Sequence, residues 1–236
     1  MKVLYYAHEY YCEYGARTHA REFYRVLQRH PQVAECRIFP AESAPSPLFS
    51  SAPQSRFARL ARAVVPVRAR MQWRMWRPFG LDYHSLCGVL SEFRPDLLVI
   101  RMGIQFRYIQ RLRARFPLLK ICVEYNASFL EGPNQHLWFG HYWRREEARQ
   151  ISFADSVSVV SGQLGDELCA FHPALRSKMV LNPNGVDIDR FHPAEPEERL
   201  EARRVLNIPD RAVVFGYIGG MESFRRLPEV VACMAR

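Results

Sequence analysis

The sequence predicts an α/β protein built as a doubly wound parallel sheet, and three observations carry that reading. Short apolar runs alternate along the chain with segments whose apolar residues recur at helical spacing. The runs are nearly continuous in apolar residues, the pattern of strands buried on both faces. The composition is that of a globular chain: of 236 residues 48% are hydrophobic and 13% aromatic, enough to bury a core.

Residues 2–7 form the first apolar run and read as a buried strand. A polar and aromatic loop to Gly15 follows it. Over 17–29, Ala20, Phe23, Tyr24 and Leu27 fall on one helical face, and Pro31 stops the helix. Residues 33–39 read as a second strand. A Pro- and Ser-bearing loop over 40–55 leads into an Arg-rich stretch, then a helix near 83–93 and a strand over 96–101. The alternation continues with a helix at 106–116, a strand at 119–125 and a long polar and aromatic helix at about 138–153. Residues 155–160 then read as a strand, 162–171 as a helix and 178–181 as a short strand. Residues 213–218, VVFGYI, read as a strand that opens a second sheet, with few residues after it. In such folds ligands bind outside the carboxyl ends of the strands, so the loops after Ala7, Arg101, Tyr125, Val160 and Leu181 are where function is expected.

Several classes are disfavoured. No stretch reaches the roughly 20 apolar residues that span a bilayer, and the amino terminus lacks the long apolar block and small-residue cleavage site of a secretory signal. A cytoplasmic location is expected, with the inner face of the cell membrane as the alternative. The six cysteines, at positions 12, 36, 87, 122, 169 and 233, are scattered singly and read as reduced, mostly buried thiols. His136 and His141 lie close together but lack a third ligand at helical spacing, so no metal site is expected. Gly15 lets the backbone approach a ligand, and the helix behind it, entered through Arg17 and His19, offers free N–H groups. A plain turn at Gly15 explains the same residue. No second and third glycine follow at the spacing of the dinucleotide fingerprint, which disfavours NAD.

The segment Asn182-Pro183-Asn184-Gly185-Val186-Asp187, with a strand before it and Phe191 and Pro193 behind it, resembles the interdomain segment of a family 4 glycosyltransferase of the GT-B fold. Residues 154–161 with Leu164 are similar to that family's last amino-domain strand and Ser-capped helix. Glu124, Asn126 and Glu131 resemble a variant of its acceptor-side loop, and 215–219 with Arg225 resemble the opening of its nucleotide-sugar domain. The resemblance implies two Rossmann-like domains: 1–185 as the acceptor-side domain, 186–210 as the linker and 211–236 as a truncated start of the donor domain. It implies transfer of a sugar from a nucleotide-diphosphate sugar to a glycan or lipid-linked acceptor, with retention, no cofactor and no metal. Gly15, Arg17, His19, Glu124, Asn126, Glu131, Asn184 and Gly185 become substrate-binding candidates, and Gly219, Arg225 and Arg226 candidates for the donor diphosphate. No catalytic residue is assigned. Gly220 stands where the family commonly has an arginine, and Asn126 stands near where many relatives place a histidine. Without the rest of the donor domain the chain is expected to transfer nothing.

Charge adds a second line. The net charge is +9, and Arg56, Arg59, Arg62, Arg68, Arg70, Arg74 and Arg77 occur without an acidic residue among them. Trp73, Trp76 and aliphatic residues interleave with them, a pattern that suits an anionic membrane surface, and in the resembled family this region often contacts the membrane. Arg59, Arg62, Arg70, Trp73, Arg74 and Trp76 are the candidate contacts. A core role for the tryptophans with solvated arginines explains the same pattern. Arg101, Arg107, Arg111, Arg113 and Arg115 read as the basic side of an ordinary amphipathic helix. A noncatalytic peripheral membrane module and a nonspecific nucleic-acid binder are the rival functions. No nucleic-acid recognition motif is present, so a specific nucleic-acid partner is not expected.

Overall fold

The computed structural model describes residues 1–11, 15–41, 65–66, 69, 72, 80–103, 107–128, 130, 137–218 and 227–234. The chain divides into two units, Met1–Pro183 and Asn184–Arg236.

The first unit is a six-stranded, all-parallel sheet in the order β2-β1-β3-β4-β5-β6. The strands are β1 (Lys2–Tyr6), β2 (Glu35–Phe39), β3 (Leu97–Arg101), β4 (Lys120–Tyr125), β5 (Ser156–Val159) and β6 (Met179–Leu181), and each is parallel to its neighbours. The helices are α1 (Gly15–Arg29), α2 (Gly80–Phe93), α3 (Ile109–Arg115), α4 (Gly140–Ile151) and α5 (Gly162–Phe171). This is the Rossmann-like arrangement the alternating pattern predicts. The chain winds outward from β1 to β2 and then returns past β1 to β3, so the order reverses between β1 and β3, where such sheets bind ligands.

Strand parity decides what each face carries. Leu4, Tyr6, Leu98, Ile100, Ile121, Val123, Val157 and Val159 point to one face, where α2, α3, α4 and α5 add Leu86, Leu90, Ile109, Leu112, Trp143, Ile151 and Leu168 to the main core. Val3, Tyr5, Ala7 and Val99 point to the other face, under Ala20, Phe23, Tyr24 and Leu27 of α1. The α1 residues are the ones helical spacing selects, and the helix ends at Arg29, two residues before Pro31. It begins at Gly15 rather than Arg17. Helix α5 matches its expected bounds, with Ser161 as N-cap accepting from the Leu164 N–H at 3.2 Å.

Asp155 ties the amino end of β5 to its neighbours. Its carboxylate accepts from the Ile121 N–H at 2.8 Å and from Arg113, while its own N–H donates to Ile121 O at 2.9 Å. Asp155→Ala leaves the part-buried Ile121 N–H without its side-chain acceptor and strips the counter-charge from Arg113, which keeps its bonds to the carbonyls of Phe153, Pro117 and Leu119. The expected cost is about 2 kcal/mol, read from urea unfolding.

Three expectations are corrected here. Arg101 does not lie on the basic helix: it is the last residue of β3 and is buried. The 106–116 helix ends one residue early: among the described residues a tight turn at 107–108 leads into α3, Ile109–Arg115, and Phe116 is its C-cap. In the second unit, 213–218 forms no strand among the described residues, because an extended run becomes a strand only by pairing and no described segment pairs with it. Val213, Phe215 and Ile218 are correspondingly exposed. That unit contains α6 (Pro196–Val205), opened by a reciprocal cap between Glu195 and Glu198, and α7 (Leu227–Met234).

Candidate functional site

Register brings one set of polar residues to the carboxyl end of the sheet. Arg101, last in β3, pairs directly with Glu124 in β4, and Tyr5 of β1 lies on the same face because it shares their parity. Helix α1 covers this face and contributes His19 from its second turn. The short helix after β1 contributes Glu9.

Glu124 is the hub. It is 3% exposed and accepts four hydrogen bonds. Tyr5 Oη reaches Oε2 at 2.7 Å, while Oε1 takes His19 Nε2 at 2.7 Å, Arg101 Nη1 at 2.5 Å and Asn126 Nδ2 at 2.9 Å. On its other side Arg101 holds Nε 3.2 Å from Glu9 Oε2, an ion pair whose angle misses that of a hydrogen bond. One buried guanidinium therefore serves two carboxylates.

The electrostatics follow from these contacts. Burial works against ionisation of Glu124, but the hydrogen bonds from His19, Tyr5 and Asn126 and the charge of Arg101 outweigh it and hold the carboxyl below its ordinary range. For Glu9 burial wins: its carboxyl is pushed up, with Arg101 offsetting only part of the cost. Burial and then the Glu124 charge push the Tyr5 phenol far up, so it remains a donor. Burial opposes the Arg101 charge too, yet Glu124 and Glu9 outweigh it and strengthen its hold on the proton. The result is an ionised carboxylate fixed in place by surrounding donors, with His19 and Asn126 as its part-buried, solvent-reachable rim.

A second buried carboxylate organises the loop after β4 from the opposite face. Glu147 of α4 is 2% exposed and accepts from Ser128 Oγ at 3.0 Å and Tyr125 Oη at 3.3 Å, and Ser128 Oγ accepts the Leu130 N–H at 3.2 Å. The chain leaving β4 is thus pinned just beyond Asn126.

The profile of Glycosyltransferase Family 4 matches residues 14–190, most of the chain and all the strands after β1. The chain belongs to Glycosyltransferase Family 4. The matched span holds α1 with His19, β3 with Arg101 and β4 with Glu124 and Asn126, so the polar cluster is built largely from family 4 sequence. No curated protein matches closely enough to name a relative.

Of the expected substrate-binding residues, His19, Glu124 and Asn126 come together in this cluster. Gly15 begins α1, and Arg17 follows in its first turn, half-buried. Asn184 and Gly185 open the second unit, exposed and outside regular structure. Glu131, the donor candidates Gly219, Arg225 and Arg226, and the membrane candidates Arg59, Arg62, Arg70, Trp73, Arg74 and Trp76 lie outside the described residues. Among the described residues no helix is long and apolar enough to cross a membrane, and no group of three side chains could hold a metal. Of the thiols expected to be mostly buried, Cys87 and Cys169 are buried, Cys36 and Cys122 half-buried and Cys233 exposed.

Sequence reasoning missed Tyr5, Glu9 and Arg101. A signal was present for Arg101. Arg101 closes the run LLVIR and Glu124 interrupts the run CVEY, and charges inside apolar strands must find partners. Strand parity then makes Arg101 and Glu124 neighbours on one face once β3 and β4 are adjacent.

Proposed function

We propose that the first unit is the acceptor-side half of a retaining glycosyltransferase that moves a sugar from a nucleotide-diphosphate donor to a glycan or lipid-linked acceptor. The observation that carries this reading is the Glu124 cluster. An ionised carboxylate on β4, bonded to Tyr5 and Arg101 of the two strands that flank the switch point, holds two side chains capable of hydrogen bonding to sugar hydroxyls. The diphosphate falls to a donor domain, with the cations Arg225 and Arg226 and the backbone at Gly219 as its first contributors, and no metal or cofactor is needed. A membrane-surface acceptor suits the basic and Trp-bearing segment over 56–77.

Transfer is tested with a donor domain supplied to the chain. Joined to a family 4 nucleotide-sugar-binding domain and given a panel of nucleoside-diphosphate sugars with a glycolipid extract, it is expected to release nucleoside diphosphate and label the acceptor. In that form Asn126→Ala lowers transfer about 100-fold through lost orientation of the acceptor. Unchanged transfer by the variant would remove the β4 end from the acceptor site. Absence of transfer from every donor would count against the reading as a whole.

A further inference from the structure

His19 is held in a way that fixes its chemistry. Its Nε2 lies 2.7 Å from Oε1 of Glu124, a carboxylate that three other donors, Tyr5, Arg101 and Asn126, keep ionised, and an ionised carboxylate only accepts. The nitrogen facing it must therefore be the protonated one. A neutral imidazole has a single N–H, so the proton on Nε2 leaves Nδ1 with its lone pair. The ring plane is set independently. Phe23, one turn along α1, lies parallel to the imidazole, with 10° between the planes and 6.2 Å between centroids. Nδ1 makes no hydrogen bond to any described residue, and the side chain is 29% exposed. A hydrogen-bond acceptor is thus presented at the rim with both tautomer and plane predetermined.

We propose that His19 is a hydroxyl-binding residue of the acceptor subsite, with Nδ1 accepting a hydrogen bond from a sugar hydroxyl and Glu124 acting as the positioning residue that sets the tautomer. The identity of the ligand rests on the glycosyltransferase reading, whereas the tautomer does not. A bare nitrogen beside a buried carboxylate is matched to a neutral hydroxyl and turns away an anion, so the subsite discriminates a glycan hydroxyl from a phosphate oxygen. Asn126 obeys the same rule: its Nδ2 is engaged by Glu124, which leaves Oδ1 as an acceptor on the same rim.

The test is the two-bond proton–nitrogen spectrum of the 15N-labelled chain at mildly alkaline pH, with His19 assigned by its loss in His19→Phe. Expected is a protonated Nε2 and a bare Nδ1. Methyl α-glucoside or methyl α-mannoside is expected to move Nδ1 upfield with saturation, and inorganic phosphate is expected to leave it in place. In Glu124→Gln the His19 signal is expected to shift toward a mixture of tautomers. Should that variant not fold, the wild-type spectrum still decides, because a protonated Nδ1 overturns the proposal. A bare Nδ1 that responds to neither glycoside overturns the hydroxyl-binding role. Either result, found beside sugar transfer by the joined enzyme, would sink this inference while leaving the proposed activity standing.

Discussion

Arg101→Leu is expected to destabilise the first unit by about 3–5 kcal/mol at neutral pH, the cost of stripping the cation from a buried ionic cluster. Arg101 is 7% exposed and stands between Glu124, at 2.5 Å, and Glu9, at 3.2 Å. Without it, Glu9 is buried with no cation beside it and Glu124 keeps only Tyr5, His19 and Asn126, so both carboxyls are driven toward taking up a proton. Their folded-state pKa values then rise above the unfolded ones, so the unfolded chain binds fewer protons and stability falls as pH rises through the new values. The deficit relative to wild type is therefore largest at neutral pH and narrows on acidification. Glu124→Gln is expected to cost less, since Arg101 keeps Glu9 and the amide still meets its neighbours. Urea unfolding at neutral and mildly acidic pH measures both, and the neutral-pH deficit corresponds to a fall in Tm on the order of 10 °C. A loss under about 1 kcal/mol for Arg101→Leu would show that the cluster is solvated and that the carboxylates need no guanidinium.

The fold was legible because its strands are apolar on both faces and its helices are punctuated. Leu97–Arg101 and Lys120–Tyr125 read as strands without knowledge of their neighbours, and α1 and α5 owe their bounds to Pro31 and to the Ser161 cap. What one-dimensional reasoning handles poorly is pairing. Residues 213–218 have every local property of a strand and still lack a ladder among the described residues, since strand formation depends on a partner edge rather than on composition. Along the chain Arg101 groups with the arginines of the helix that follows it. Register places it opposite Glu124 instead, 23 residues away in sequence.

The site was legible to a different extent. Glu124, Asn126 and His19 were within reach, the first two through the family resemblance and the third because it enters the helix after the first strand. Their meeting at one point was not, because it needs β1, β3 and β4 adjacent and α1 laid over their shared face. Tyr5 is the clearest case. In the sequence it is one aromatic of an apolar strand, and only parity turns its hydroxyl toward Glu124 at 2.7 Å, while the next residue, Tyr6, faces the opposite core.

Tyr6 leads to the second large effect, the acid sensitivity of His8. The ring of His8 is 3% exposed, packs on Tyr6 with centroids 4.9 Å apart, and has its Nε2 2.9 Å from Tyr6 Oη. Burial pushes its pKa down from the ordinary 6.5 to about 4, because the folded protein cannot solvate the imidazolium. Between those values the unfolded chain binds the proton and the folded one does not, so stability rises with pH across the window and is fully present above it. Acidification from 6.5 to 4 is expected to remove on the order of 3 kcal/mol from this group alone. Two carboxyls near the same strand end act with opposite signs. Glu124, held low, adds to the loss below the ordinary carboxyl range, whereas Glu9, held high by burial, gives stability back as it protonates. The stretch from about 6 down to 5 is above the ordinary carboxylate range, and the raised Glu9 is common to wild type and His8→Gln, so the difference between the two isolates the histidine. Urea midpoints followed through it should fall further for wild type than for His8→Gln, which keeps a polar partner for Tyr6 but has no proton to take up. A wild-type profile parallel to that of His8→Gln would mean that the folded state opens enough to hydrate His8, and the tight packing of the first strand's carboxyl end would be the claim to abandon.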